Sequence, residues 1–325
     1  DTRLKPYGGC RLCVVEVKGW PRPGTACTTP LAEGMIIETH TPEIENYRRT
    51  LLRLLSIGYS PEAIQKYPDK EFHRYLQSYG VHPISNGKLK DTFVDTSHPY
   101  INVDMHQCIN CYRCVRICDE LQGQFVWKVW NRGFMSRILP DTSDSLMASD
   151  CVSCGACVDT CPTGALEDKS ILKHGTPTKW TRTTCPYCGT GCEMHVGTRD
   201  GNIVTIRPSL ESPTNKGHLC VKGRYAYEWV RSLDRVTAPL IRVDGKWETT
   251  SWDKAIQYSV QEFQRIGQKY GSEKIGMIAS SRSTNEENYL AQKFTRVVFG
   301  TNNVDGCARV CHTPTAAAMK MTLGT

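Results

Sequence analysis

Cys108-Ile109-Asn110-Cys111-Tyr112-Arg113-Cys114-Val115-Arg116-Ile117-Cys118 and Cys151-Val152-Ser153-Cys154-Gly155-Ala156-Cys157-Val158-Asp159-Thr160-Cys161-Pro162 decide the fold. Both read C-x2-C-x2-C-x3-C, and the second run closes on proline. Three closely spaced thiolates followed by a fourth match the ligand spacing of a [4Fe–4S] cluster. Zinc sites pair two C-x2-C knuckles instead, and disulfides require no repeated spacing.

Paired runs of this kind resemble the two-cluster bacterial ferredoxins, in which the fourth cysteine of each run ligates the other run's cluster. The resemblance assigns Cys108, Cys111, Cys114 and Cys161 to one cluster, and Cys151, Cys154, Cys157 and Cys118 to the other. Asp119 follows Cys118 where proline is usual. The 32 residues between the runs, with Phe125-Val126-Trp127-Lys128-Val129-Trp130, predict an inserted β-hairpin whose aromatics pack against the clusters.

The chain has 325 residues, 39% hydrophobic and 22% charged, enough for two or three domains. It contains no apolar run long enough to cross a membrane. The net charge of +7 is spread out, without the concentrated basic face that nucleic-acid binding requires. Seventeen cysteines fall in tight groups, with none between Cys27 and Cys108 or between Cys220 and Cys307. A disulfide scaffold would distribute them through a short chain. Grouped cysteines read as metal ligands in a reducing compartment, here the cytoplasm.

Gly8-Gly9-Cys10-Arg11-Leu12-Cys13-Val14-Val15-Glu16-Val17, with Cys27 farther on, predicts a tight loop and then a strand. Glycine there lets backbone amides approach sulfur. Pro21-Arg22-Pro23-Gly24 is a turn. The group resembles the plant-type [2Fe–2S] ferredoxin domain that opens the large iron–sulfur subunit of NADH dehydrogenase, iron-only hydrogenases and NAD-linked formate dehydrogenases. The resemblance makes Cys10, Cys13 and Cys27 ligands and places a first ligand upstream of residue 1. Residues 50–81 occupy the place of that family's site of one histidine and three cysteines, but they carry helical apolar spacing and no cysteine. His73 is expected to be an ordinary helix-face histidine. Residues 83–100, with Asn86-Gly87 and Ser97-His98-Pro99, read as a linker.

Cys185-Pro186-Tyr187-Cys188-Gly189-Thr190-Gly191-Cys192, followed by Cys220-Val221-Lys222, gives C-x2-C-x3-C-x27-C, a separate [4Fe–4S] pattern. Residues 193–197 and 201–206 predict a β-hairpin turning at Asp200-Gly201. The motif resembles the N-terminal cluster domain of the molybdopterin oxidoreductases, which puts Lys222 between cluster and pterin. From residue 236 the pattern turns α/β: a helix over 252–270, a strand over 274–279 and a helix over 285–299. The loop Ser280-Ser281-Arg282-Ser283 falls where an α/β sheet presents ligand-binding loops, making Ser281 and Arg282 cofactor-binding candidates. Cys307-Ala308-Arg309-Val310-Cys311-His312 resembles formate dehydrogenases. The resemblance makes Cys311 the molybdenum or tungsten ligand and His312 its proton-handling or transition-state-stabilising neighbour. Cys307 is expected to be structural.

The expected architecture is α+β and multidomain. A partial plant-type [2Fe–2S] domain with a helical segment fills 1–82, followed by the linker at 83–100. A double [4Fe–4S] ferredoxin domain fills 101–175, and a molybdopterin oxidoreductase [4Fe–4S] domain fills 178–235. The start of an α/β pterin-binding domain fills 236–325, and truncation is expected at both ends. The implied cofactors are three [4Fe–4S] clusters, one [2Fe–2S] cluster, and molybdenum or tungsten with bis-molybdopterin guanine dinucleotide. The implied activity is reversible oxidation of formate to CO2. Electrons would pass to flavin/iron–sulfur diaphorase subunits linked to NAD, to ferredoxin or to a hydrogenase. The alternative is an electron-transfer subunit of an NADH dehydrogenase or hydrogenase complex with a degenerate pterin domain. Iron-only hydrogenase is excluded, because its catalytic-cluster signatures would follow Cys161.

Overall fold

The computed structural model describes residues 1–83, 93–142, 144–308 and 312–324. Asn86-Gly87 of the expected linker and Cys311 lie outside the described residues. The chain divides into two units. One comprises Asp1–Trp180, Val196–Arg207 and Gly217–Arg224, and the other Thr181–His195, Pro208–Lys216 and Tyr225–Thr325.

The first unit opens with a small antiparallel sheet of β1 (Val14–Val17), β2 (Gly24–Thr25) and β3 (Ile37–Glu38), in the order β2-β1-β3. Val14, Val15 and Val17 on the central strand are buried. Helices α1 (Pro42–Leu55) and α2 (Pro61–Lys66) each begin with a hydroxyl cap and proline. Thr41 accepts from the Ile44 N–H and Ser60 from the Ala63 N–H, satisfying end groups while proline pre-sets the first turn. With α3 (Glu71–Ser78) they enclose a core of Leu52, Tyr59, Ala63, Phe72, Leu76 and Val81. His73 is fully buried in α3, not displayed on an open helix face. Its Nδ1 lies 2.6 Å from the Tyr67 carbonyl and its Nε2 2.6 Å from the Tyr59 hydroxyl. The carbonyl can only accept, so Nδ1 carries the proton and Nε2 accepts from Tyr59.

β4 (Val94–Asp95) pairs with β5 (Ile101–Asp104), so part of the segment expected to be a linker belongs to a sheet. The first cysteine run then folds through α4 (Arg113–Arg116). The expected hairpin follows as β6 (Trp127–Trp130) and β7 (Arg137–Pro140), with Trp127 opposite Pro140. The second run contains α5 (Ala156–Thr160). β8 (Leu166–Asp168) completes the sheet in the order β4-β5-β8, antiparallel throughout. After α6 (Lys169–His174) and β9 (Lys179–Thr184), β10 (Glu193–Arg199) and β11 (Asn202–Pro208) form the second expected hairpin. Its turn residues Asp200 and Gly201 have φ of 50° and 73°, as a two-residue hairpin turn requires. Cys220 precedes α7 (Val221–Tyr225).

The second unit contains the hairpin β12 (Leu240–Val243) and β13 (Lys246–Thr249), followed by α8 (Trp252–Tyr270), which Ser251 caps. β14 (Met277–Ala279), α9 (Asn285–Phe294) and β15 (Val304–Gly306) make a βαβ unit. Its strands run parallel, with Met277 opposite Val304 and Ala279 opposite Gly306. Thr284 and Glu287 form a capping box that fixes where α9 begins. α10 (Thr313–Leu323) ends the described chain. Among the described residues no helix is long and apolar enough to cross a membrane.

Candidate metal centres

The cysteines expected to share clusters are sorted by the fold into two cavities. Cys108, Cys111, Cys114 and Cys161 line one, with Ile109, Ile138 and Leu166. Cys118, Cys151, Cys154 and Cys157 line the other, with Ile101, Val126 and Trp127. Each cavity thus takes three thiols from one run and the fourth from the other. Burial raises the Cys114 thiol well above its ordinary range, and Cys108, Cys111 and Cys161 add to the effect. Burial does the same to Cys157, with Cys151, Cys154 and Cys118 adding. Such thiols gain most from a soft metal that replaces the proton. Among the described residues no three His, Cys, Asp or Glu close upon one point as a single ion requires. The thiols ring a space instead, a donor set that fits a polynuclear iron–sulfur group.

Local backbone geometry explains how each loop wraps its cavity. Asn110 and Ser153 occupy equivalent places and adopt φ of 53° and 55°. The turn aims their amides at the leading thiols, Asn110 N at 3.4 Å from Cys108 Sγ and Ser153 N at 3.5 Å from Cys151 Sγ. Two residues on, Tyr112 and Gly155 are also left-handed, at 60° and 72°. Glycine adopts that conformation freely, whereas a bulky residue does so only under constraint. The following amides, of Arg113 and Ala156, bond to Cys111 and Cys154. Consecutive inward amides of this kind create a concavity suited to negative charge.

Cys10, Cys13 and Cys27 line a third cavity in the same unit. The Cys27 thiol is raised by burial and by its hydrogen bond with Cys13, while the Gly8 backbone bonds to it. That bond is the close amide approach expected of the Gly8-Gly9 pair.

In the second unit the Cys185 N–H donates to the Cys192 carbonyl at 2.8 Å, closing the Cys185–Cys192 loop. Cys185 is buried, Cys188 and Cys192 partly so. Cys220 belongs to the first unit, with exposed Lys222 on α7. Arg224, fully buried on the same helix, was not singled out from the sequence. Its backbone N–H donates to the Cys220 carbonyl at 3.0 Å. Its guanidinium reaches Asp159 and Asp168, each at 3.0 Å, and Thr205 Oγ1 at 3.1 Å. Arg207 pairs with Asp159, Glu167 and Asp168, and Lys70 with Glu167. A lone Arg in Lys222-Gly223-Arg224 gives no signal of this role, because its partners come from elsewhere in the chain.

The βαβ unit brings Ser281, Cys307 and His312 together beyond the C-terminal ends of β14 and β15. Ser281 Oγ lies 3.2 Å from Cys307 Sγ and 3.4 Å from His312 Nε2. Ser280 Oγ lies 3.5 Å from the same sulfur. Hydrogen bonds from both serines, with Arg282 nearby, lower the Cys307 thiol to about 7. Cys307 therefore sits in a polar cluster and not in an apolar core. Asn288, also missed in the sequence, pins the loop: its amide accepts from Ser280 N at 3.1 Å and donates to the Ser280 and Thr284 carbonyls at 2.9 and 3.0 Å. The capping box at Thr284 marks that region in the sequence, but not the side chain that fastens it.

Four family models match the chain. They are the 2Fe-2S iron-sulfur cluster binding domain over residues 2–42 and the ferredoxin-like domain of NADH-quinone oxidoreductase subunit 3 over 98–167. The Molybdopterin oxidoreductase Fe4S4 domain follows over 178–232, and Molybdopterin oxidoreductase over 235–324. A Staphylococcus haemolyticus (strain JCSC1435) protein provisionally named formate dehydrogenase is 31% identical over 368 aligned positions, covering 100% of this chain. A Staphylococcus aureus (strain bovine RF122 / ET3-1) protein with the same provisional name is 30% identical over the same span. The chain spans 37% of the length of these curated relatives. A solved chain of an NAD+-reducing [NiFe]-hydrogenase in the H2-reduced state aligns with TM-score 0.46 and 28% identity, covering 51% of this chain and 71% of that one. With iron–sulfur domains in front of an Fe4S4 domain and a pterin domain, the chain belongs to the molybdopterin oxidoreductase family.

Proposed function

We propose that the chain is the electron-carrying front and the start of the catalytic domain of a formate dehydrogenase. The reading assigns [4Fe–4S] clusters to the two four-thiol cavities and to Cys185, Cys188, Cys192 and Cys220. It assigns a [2Fe–2S] cluster to Cys10, Cys13 and Cys27, and molybdenum or tungsten with two pterin guanine dinucleotides to Cys311. The observation that carries it is the convergence of Ser281, Cys307 and His312 beyond the ends of two parallel strands, the edge where α/β sheets bind ligands.

Formate oxidation releases CO2, one proton and two electrons. The metal–pterin group, when bound, supplies the two-electron acceptor. His312 takes the released proton at Nε2, and Ser281 Oγ orients that ring. Lys222 and Arg282 hold pterin charge, and the loop that Asn288 fastens keeps Ser281 in place. The cysteines of these sites would hold clusters that carry single electrons, and an NAD-linked or ferredoxin-linked partner would receive them. Formate-dependent dye reduction by metal-replete, full-length enzyme tests the reading. Activity lost in Cys311→Ala upholds it; no formate-dependent reduction in the parent, or full activity in the variant, overturns it. The match of residues 98–167 to an NADH-quinone oxidoreductase domain favours a second reading, a pure electron-transfer subunit, which predicts neither molybdenum nor tungsten in the purified protein.

A further inference from the structure

The two four-thiol cavities are built alike from backbone but differ in the ring N–H groups that face them. His98 is 2% exposed. Its Nδ1 lies 3.2 Å from the Tyr100 N and 3.0 Å from the Ile101 N. Two backbone donors converging on one ring nitrogen make it the acceptor, which leaves the proton on Nε2. That N–H is shared between Ser153 Oγ at 3.0 Å and the Cys151 sulfur at 3.9 Å. Trp127, also 2% exposed, makes a side-chain hydrogen bond to Cys157 through its indole N–H. The Val126 and Trp127 backbone amides bond to Cys118. Among the described residues no histidine or tryptophan lines the other cavity, where the side-chain donor is the Thr163 hydroxyl, 3.5 Å from Cys161 Sγ. The cation there, Arg113, is paired with Glu71 at 2.5 and 3.0 Å, so the pair is neutral as a whole.

Hydrogen bonds to cluster sulfurs favour the reduced, more negative state and raise the potential. We propose that His98 and Trp127 make the Cys118/Cys151/Cys154/Cys157 site the more oxidising of the pair, so that an electron shared between them rests there. This inference rests on the cluster assignment in the proposed function. It adds an order to the electron path, and it gives His98 a positioning and tuning role in a segment that reads as linker.

The test is an anaerobic redox titration of the full-length holoprotein, followed by electron paramagnetic resonance, with iron content determined in parallel. His98→Asn keeps a side-chain oxygen that accepts from the amides two and three residues on, as in an Asx turn, but removes the Nε2–H. Trp127→Phe keeps the packing and removes the indole donor. In each variant one [4Fe–4S] signal is expected to become about tenfold harder to reduce, 59 mV for a one-electron couple, while the others hold. Unchanged potentials with full iron in both variants overturn the inference. If the parent lacks two [4Fe–4S] centres attributable to these runs, the cluster reading itself fails, which the iron and spin counts show separately.

Discussion

Arg224→Met strikes the buried ionic cluster of the first unit. The parent sets three cations, Arg224, Arg207 and Lys70, against three buried or nearly buried carboxylates, Asp159, Glu167 and Asp168. At 3.0 Å and an effective dielectric of about 20, each Arg224–carboxylate pair is worth about 5.5 kcal/mol before desolvation is subtracted. Methionine fills similar volume but leaves three carboxylates with two cations. Removing one partner of a buried ionic group costs about 3–5 kcal/mol. Burial already lifts the Asp159 carboxyl to about 6 against the downward pull of Arg224, so the variant moves it towards the neutral acid at pH 7. The same change releases α7 from β11 and α5, loosening the backbone that carries Cys220. Urea denaturation of the anaerobic protein, read by circular dichroism and cluster absorbance, should place the variant about 3–5 kcal/mol below the parent. Adding Asp168→Asn removes the uncompensated charge, so the double variant should lose less than the sum of the singles. A loss under about 1 kcal/mol for Arg224→Met, or strict additivity, refutes the argument.

Three further expectations follow from named contacts. Burial lowers the His73 pKa below its ordinary 6.5, so the folded ring is neutral while an unfolded chain takes up the proton first as pH falls. Local stability is then full above about pH 6.5 and declines below it; protection factors in α3, corrected for the intrinsic pH dependence of amide exchange, should fall from pH 7 to 5.5, and His73→Phe should abolish that slope. A Cβ on Gly164 would lie 2.8 Å from the Tyr67 ring and against Gln107 Oε1, so Gly164→Ala should cost about 1–3 kcal/mol, read from the same denaturation curves. Under the proposed function, Ser281→Ala should slow formate oxidation about tenfold with the metal still bound, whereas His312→Ala removes the proton acceptor assigned there and should cost on the order of 10^2–10^4. Equal effects in the two variants refute the positioning role of Ser281.

Local patterns were legible where one stretch of chain carries the whole reason for an element. Asp200-Gly201 announces a hairpin, and the cysteine spacings announce the cluster loops. What escaped the sequence depends on partners far along the chain. His73 read as an ordinary helix-face histidine, and nothing nearby in the sequence shows that Tyr59 and Tyr67 close over it. Val94–Asp95 looked like linker because two residues carry no alternation, yet β5 offers them a free edge. His98 looked like turn chemistry before proline, and only the fold sets its ring against Cys151. Asn288 and Arg224 are ordinary polar residues until their partners assemble.

The exchange of fourth cysteines between the two runs explains why such long-range partners concentrate around residues 95–170. Cys161 lines the cavity of the first run and Cys118 that of the second, so neither loop can complete its donor set before the other has folded. The hairpin β6–β7 lies between them and delivers Val126 and Trp127 to Cys118 and Cys157 as it forms. Metal binding and folding are then one event, and the groups that secure it must reach across the sequence. Asp95 accepts from the Leu146 N–H at 2.6 Å, Arg113 pairs with Glu71, and Arg224 pairs with Asp159 between the last two thiols of the second run. Repeated spacing encodes which cysteines belong together. The relative potential of the two sites is encoded instead by His98 and Trp127, one before both runs and one between them, which no reading of the repeat alone contains.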